Sequence, residues 1–332
     1  MTSYLLRRFG FAVFTLAIIS FVVFVLIALP PGDYAQSLAH RRQADTGRMV
    51  TGADIENIRL QLGLDRSFFE QYTTWIWNIL TRGNFGFSFR YLAPVTEVIN
   101  TRIGYTTLIA GSATILTYML AVPVAVYSAV RQYSLGDYVV TILGQVGLAV
   151  PNFLSALLLL YFSATVFGTS VGGLYTPGME KAAWGLPKLL DLLSHLWVPA
   201  AVLSLSGTAY QIRVIRATLL DELNKLYVTA ARARGVPETV LLWKYPVRVA
   251  LNPVISTIGW ELSSVVSGSA VVALVLAIPD MGPLFLQSLR DQDMYLAGTI
   301  LLLLSLLVIV GTLISDLLLS LLDPRIRRGN SR

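Results

Sequence analysis

Apolar and polar stretches alternate six times along the 332 residues. The first apolar run, Phe9 to Leu29, follows Arg7 and Arg8. It has about the 20 residues that a bilayer-crossing helix needs. It ends at Pro30-Pro31-Gly32-Asp33 with no small-residue cleavage site, so it reads as a membrane helix and not as a removable signal. Further spans are predicted over Ile103 to Val130, Tyr138 to Phe167, Leu196 to Tyr210, Leu251 to Ile278 and Tyr295 to Leu322. Pro123 lies inside the second, and Pro151-Asn152 is expected to kink the third. The fourth is expected to run on into the polar phase past Arg213 and Arg216. The predicted fold is an all-α polytopic membrane protein with six transmembrane helices and a large external loop after the first. The expected organisation is an N-terminal transmembrane helix over 1–29, an external loop with short helices over 30–100, a five-helix core over 101–325 and a basic tail over 326–332.

The 30–100 segment carries seven Arg and seven acids, a neutral balance that suits an external loop. Asp54 and Asp65 are expected to cap two short helices separated at Gly63. Phe68, Phe69, Tyr72, Trp75, Ile76 and Ile79 repeat at helical spacing, and Trp and Tyr there suit a membrane interface. Gly83-Asn84-Phe85-Gly86 reads as a turn.

Composition agrees with this pattern. Hydrophobic residues make up 55% of the chain and charged residues 13%, against about 25% charged in soluble domains. The net charge of +6 is a topology signal here, not one for nucleic acid. Segments assigned to the cytoplasm hold 14 Lys and Arg against 5 acids, and external segments 10 against 12. This places both termini inside, in the sense of the positive-inside rule. The chain has no cysteine, so no disulfide or thiolate metal site exists.

Catalytic chemistry has little to stand on. Lys181, Lys188, Lys225 and Lys244 are not followed by Ser or Thr, so no phosphate-binding loop of the G-x-x-x-x-G-K-[ST] kind is present. His40 and His195 begin no H-E-x-x-H, and His195 beside Trp197 and Pro199 reads as an interfacial residue, not a metal ligand. Glu261 and Asp316 fall inside spans. Intramembrane charge is costly and usually faces the bundle interior or water. Ser256, Ser263 and Ser267 lie on one helical face with Glu261, Ser264 and Gly268 beside it. That face is either the wall of an aqueous path or a small-residue packing surface. Asp316, near the inner end, is expected to snorkel or pair locally.

The longest late basic interruption is Tyr227 to Pro253, YVTAARARGVPETVLLWKYPVRVALNP. It reads as two short helices. The first rises through Ala230, Ala231 and Ala233 and stops at Gly235, a natural residue just past a helix end. The second opens at Pro237 and Glu238, where a proline and an acid suit the first turn. Val240, Leu241, Leu242 and Trp243 then give an apolar set suited to burial.

This stretch resembles the cytoplasmic EAA loop of ABC-transporter permeases. Ala230-Ala231 and Gly235 match, and Thr229 replaces the Glu. It is more similar still to the dipeptide/oligopeptide/nickel branch, through Tyr227, Val228, Ala231 to Ala233, Gly235, Arg248, Ala250, Leu251 and Pro253. The string from Leu62-Gly63-Leu64-Asp65 through Gln71-Tyr72, Trp75 and Gly83 to Ser88 resembles the same branch, with Asn84 where that branch has Asp and Ser67 where it often has Pro. Ala273, Leu276 and Pro279-Asp280-Met281-Gly282 depart from it and resemble branches that take up carbohydrates.

The resemblance implies a permease subunit of an ATP-driven, binding-protein-dependent importer of peptides or similarly sized solutes, with oligosaccharides or glycosides as the alternative. It implies a second homologous permease, two ATPase subunits that carry ATP and Mg, an external solute-binding protein, and a place in the lipid of the bacterial inner membrane. It makes 219–250 the coupling loop, with a cytoplasmic coupling helix between the fourth and fifth spans. Ala230, Ala231, Arg232, Arg234, Gly235, Pro237 and Glu238 would couple to an ATPase. No cofactor is expected on this chain itself. An ion-driven secondary transporter would show internal repeats, and a membrane-embedded enzyme would need a polar partner for Glu261. Neither is evident in the sequence.

Overall fold

The structure is a computed structural model that describes residues 2–28, 43, 51–62, 65–88, 90–166 and 172–322. The Pro30–Asp33 start, His40, the Gly63 break and the tail arginines Arg325, Arg327, Arg328 and Arg332 lie outside the described residues. The chain divides into two compact units.

One unit comprises residues 5–105 and 280–306. It holds α1 (Thr2–Ala28), α2 (Gly52–Leu62), α3 (Phe68–Arg82), a two-stranded antiparallel hairpin of β1 (Phe87–Ser88) and β2 (Ala93–Pro94), and α13 (Met281–Arg290). It also holds the first turns of α4 (Val95–Val130) and of α14 (Met294–Leu322). The short helices are not capped by the expected acids. Ser67, not Asp65, caps α3: its Oγ accepts from Glu70 N, and Glu70 Oε2 accepts from Ser67 N at 3.0 Å. This reciprocal box satisfies two orphan donors, which a lone Asp cannot do. Thr51 and Asp54 form the same arrangement before α2.

The aromatic stripe of α3 faces α1. Phe24 stacks on Trp75 at 5.6 Å, and Ser20 Oγ lies 2.9 Å from Tyr72 Oη. Trp75 donates from Nε1 to Phe85 O. Asn84 Oδ1 accepts from Gly86 N at 2.9 Å, so this Asn makes the turn bond that a carboxylate would make. The hairpin is tied to the turn before α14 by Asp293, which is fully buried and accepts from Ser88 Oγ at 2.5 Å and Arg90 N at 3.1 Å. Arg90 Nε also pairs with Asp291 at 3.2 Å.

Burial pushes the Asp293 carboxyl above its ordinary range, against the pull of its hydrogen bonds. The folded state therefore binds more protons than the unfolded chain. That contribution is favourable at low pH and is lost as pH rises from about 4 through the raised value. Asp293→Asn keeps the shape and removes the titration. Thermal unfolding of the solubilised chain is expected to lose less stability between pH 4 and neutrality in the variant than in the wild type.

The other unit comprises residues 106–279 and 307–332 with the first four residues. Its elements are most of α4, α5 (Leu135–Ala149), α6 (Asn152–Val166), α7 (Leu186–Leu223), α8 (Leu226–Ala233), α9 (Glu238–Lys244), α10 (Pro246–Ala250), α11 (Asn252–Ser256), α12 (Ile258–Val275) and the end of α14. Helix α7 is the hub. It packs against α5, α6, α10 and α12, and a Cβ added to Gly147 of α5 would meet Leu205 and Ala209 of α7 at ordinary contact distance. With 38 residues at about 1.5 Å each, it is nearly twice as long as a hydrocarbon core of about 30 Å is thick. It is therefore longer than a span requires.

Among the described residues, α1, α4, α7, α12 and α14 are long and apolar enough to cross a membrane. The expected third span is a pair, α5 and α6, bent by 103° at Val150-Pro151. A proline there removes a helical hydrogen bond, and the result is a sharp break, stronger than the expected kink. The expected fifth span is likewise broken at its start. Pro253 stands in the first turn of the five-residue α11, as Pro246 does in α10 just ahead of the span, where a missing N–H costs nothing but ends the preceding ladder.

Candidate functional site: a basic helical hairpin and a serine face

Helix α8 ends as its sequence requires. Gly235 has φ of 75°, its N–H donates to Arg232 O at 3.0 Å, and Val236 N donates to Ala231 O at 3.3 Å. These two bonds make a Schellman motif, and the left-handed residue inside it favours Gly. Pro237 stands at the N-cap of α9, one position earlier than expected, and Glu238 opens the helix.

Arg232 crosses the turn to Glu238, with Nη2 to Oε1 at 2.6 Å and Nε to Oε2 at 3.1 Å. Both side chains are about half exposed, so this pair fixes the turn more than it stabilises the protein. Its hydrogen bonds hold the Glu238 carboxyl below its ordinary range. Ala230 and Arg234 are exposed and Ala231 is half-buried.

The apolar set of α9 divides. Leu241 and Leu242 are buried, as is Val228 of α8, whereas Val240 and Trp243 are about half exposed and Leu226 is 88% exposed. The hairpin therefore buries one side, where α9 packs against α8 and α10. On the other it shows an apolar and basic surface of Leu226, Val240, Trp243, Arg234 and Lys244.

The second group of expected residues is spread over two faces. Ser256, Ser264 and Ser267 share an exposed stripe with Trp260, Val271 and Leu274, and Ser263 is half-buried beside it. Glu261 lies on the buried stripe with Val265 and Val272, 3% exposed. It packs against the backbone of Gly207 and lies beside Gln211. Gln211 Nε2 donates to Thr257 Oγ1 at 3.0 Å and Tyr118 Oη at 3.4 Å. Sequence spacing alone does not show which side of α12 faces α7, and the structure separates the carboxylate from the exposed serines. Asp316 is half-buried on α14. His195 binds a carbonyl of its own helix, with Nδ1 2.8 Å from Asp191 O, and no acidic, histidine or cysteine cluster suited to a metal occurs among the described residues.

Residues 121–328 match the family described as the inner membrane component of binding-protein-dependent transport systems, and residues 1–110 match the N-terminal region of such membrane components. The chain belongs to this family. The permease has relatives along nearly its whole length. The oligopeptide transport system permease protein AppB of Bacillus subtilis (strain 168) is 35% identical over 329 residues, covering 98% of this chain and 99% of that one. A putative peptide permease protein of Brucella ovis, BOV_A0351, is 33% identical over the same shares. A solved structure of the MetNI methionine ABC transporter in inward-facing conformations aligns with TM-score 0.50 at 17% identity, over 66% of this permease and 94% of that chain. At that identity the likeness is one of fold.

Sequence reasoning missed Asp137 and Arg216 as partners. Arg216 grips the Asp137 carboxylate, Nη2 to Oδ2 at 2.8 Å and Nε to Oδ1 at 3.0 Å. The residues are 79 positions apart: Asp137 falls between the expected second and third spans and Arg216 in the expected extension of the fourth. The available signal was Ser134 three residues before Asp137, a capping pattern.

Proposed function

We propose that the permease is one of two membrane subunits of an ATP-driven importer of peptides or similarly sized solutes, and that the α8–α9 hairpin is where an ATPase subunit docks. The observation that carries this reading is the hairpin itself. A turn closed by Gly235 and the Arg232–Glu238 pair holds an exposed apolar and basic surface at the end of a 38-residue helix. Exposed Trp with basic residues around it is the composition of an interface centre.

In this reading six spans cross the inner membrane, α5 and α6 counting as one, with both termini in the cytoplasm. ATP and Mg bind on the partner ATPases. Closure of two ATPases moves two such hairpins, and long helices such as α7 carry the movement into the bundle as a shift between two packed arrangements. The exposed Ser256–Ser264–Ser267 stripe of α11 and α12 lines the solute path together with the second permease. Glu261, turned to α7, shapes that wall from behind.

The placement of Glu261 has a direct test. Glu261→Gln is isosteric and is expected to leave the KM for uptake within about twofold of wild type, whereas Ser264→Trp, filling the path, is expected to lower the maximal rate about tenfold or more. A large KM change in Glu261→Gln would move the carboxylate into the path.

The function itself is tested by purifying the permease from its native membrane in mild detergent. Two ATPase subunits, a second permease and hydrolysis stimulated by a peptide-loaded binding protein are the expected result. A chain that purifies without ATPases, under conditions that keep other membrane complexes whole, would refute it.

A further inference from the structure

We propose that the Asp137–Arg216 ion pair is a positioning joint of the transport cycle, which locks the α4–α5 turn to α7 so that movement of the α8–α9 hairpin reaches all three helices as one body. This rests on the hairpin being the ATPase-docking element.

The joint is assembled from four directions. Asp137 is 3% exposed and takes both nitrogens of the Arg216 fork. The same carboxylate accepts from Ser128 Oγ of α4 and from Tyr133 N at 2.9 Å. Arg216 Nε also donates to Ser128 Oγ at 3.1 Å. Tyr133 has φ of 63°, a conformation a non-glycine residue holds only where its surroundings fix it. Its bond to Asp137 is such a fixture. The Tyr127 ring of α4 lies on Gly136 of α5, where a Cβ would meet ring carbons at 2.8–2.9 Å.

Just beyond the pair, Leu219 of α7 is packed with Val126 and Ala129 of α4 and with Val247 and Ala250 of α10. Thr218 Oγ1 donates to Ala250 O at 3.3 Å. Both limbs of the chain that lead to the hairpin, α7 and α10, thus converge on this joint.

Stability does not account for the choice of residues. A buried ion pair is commonly no more stabilising than apolar side chains of similar volume, because desolvation offsets the attraction. What a bidentate pair adds is direction. It has one arrangement, whereas an apolar contact of the same size slides.

That difference supplies the test. The double variant D137L/R216M leaves no buried charge unpaired and is expected to fold and assemble. S128A, which removes the hydroxyl between the two groups without changing charge, is the milder companion. The permease has no cysteine, so Cys introduced at Leu135 and Thr239, both exposed, are its only labelling sites. The full transporter is purified, spin-labelled there, and measured without nucleotide and with ATP and vanadate.

In the otherwise wild-type complex the label-to-label distance is expected to stay the same in both states. In D137L/R216M it is expected to shift on nucleotide binding and its distribution to broaden about twofold, with S128A between. A constant, sharp distance in D137L/R216M and in S128A overturns the proposal, and so does a distance that already changes in the wild type. Should D137L/R216M not assemble, S128A decides alone. Failure of the docking reading is seen separately, as a wild-type permease that copurifies with no ATPase.

Discussion

Gly235→Val is expected to lower uptake about tenfold or more while the permease still accumulates in the membrane. The reason is conformational and not steric. Gly235 has φ of 75°, and a Cβ added there would meet nothing within 4 Å. A left-handed backbone costs an L-residue roughly 1–2 kcal/mol, and a β-branched one more. That lowers the equilibrium constant for the Schellman turn about tenfold, and wherever the turn opens Arg232 no longer reaches Glu238. The buried Val228, Leu241 and Leu242 are untouched, so the fold survives.

Gly235→Asn should retain most of the activity, because Asn enters this region with little cost, and Gly235→Asp should fall between the two. Membrane-vesicle uptake, set against the amount of permease in the same vesicles, checks the series. Equal activity of the valine and asparagine variants would mean that the turn has no part in coupling.

Gly259→Val is expected to act on folding instead. Helices α12 and α14 meet where α12 cannot carry bulk. A Cβ on Gly259 would lie 3.1 Å from Thr312 Cα and 3.2 Å from its Cβ, whereas one on Gly311 would meet only the tip of the Leu262 side chain. Backbone cannot turn aside as a side-chain tip can, so α14 must retreat. Overpacking of this kind costs about 1–3 kcal/mol, and small residues are the usual means of close helix approach in lipid. Gly268 is the control. A Cβ there meets Asn152 Nδ2 at 3.5 Å and Leu203 Cδ2 at 3.8 Å, which is ordinary contact. Gly268→Ala should give monodisperse protein in detergent at wild-type yield, and Gly259→Val a yield several-fold lower. Equal yields would show that α12 and α14 do not meet at Gly259.

The two glycines differ in how far their sequence announces them. Gly235 follows an alanine-rich helix and precedes Pro237-Glu238, so local signals alone place a helix end there. The same holds for the spans, which depend on length and hydropathy. Gly259 has no such signal, since its need comes from Thr312, far along the chain. Asp137 and Arg216 were hidden for the same reason. Each looks like an ordinary charge near a membrane boundary until α7 brings them together.

Capping was half legible. The boxes at Thr51 and Ser67 involve neighbours three apart, but Asp65 beside Ser67 carries an equally strong capping signal. The apolar set Val240 to Trp243 shows what periodicity leaves open, since a seven-residue helix is too short to say which two of four residues face its own bundle. The two-residue strands β1 and β2 lie below any periodic signal and exist because Asp293 gathers Ser88 and Arg90 from across the chain.

The cluster of Phe24, Trp75 and Leu302 bears on how the permease is made. Leu302 leaves the ribosome about 280 residues after Phe24, roughly 14–56 s later at 5–20 residues per second. Until α14 is made, α1 has only α3 to pack on, and most of its surface stays unpartnered. In water that wait would invite aggregation, but a helix with an apolar surface all round rests in lipid at no cost. The order of synthesis thus requires α1 to be a good membrane segment first and a packing partner second, which explains why most of its surface remains apolar and open in the finished chain.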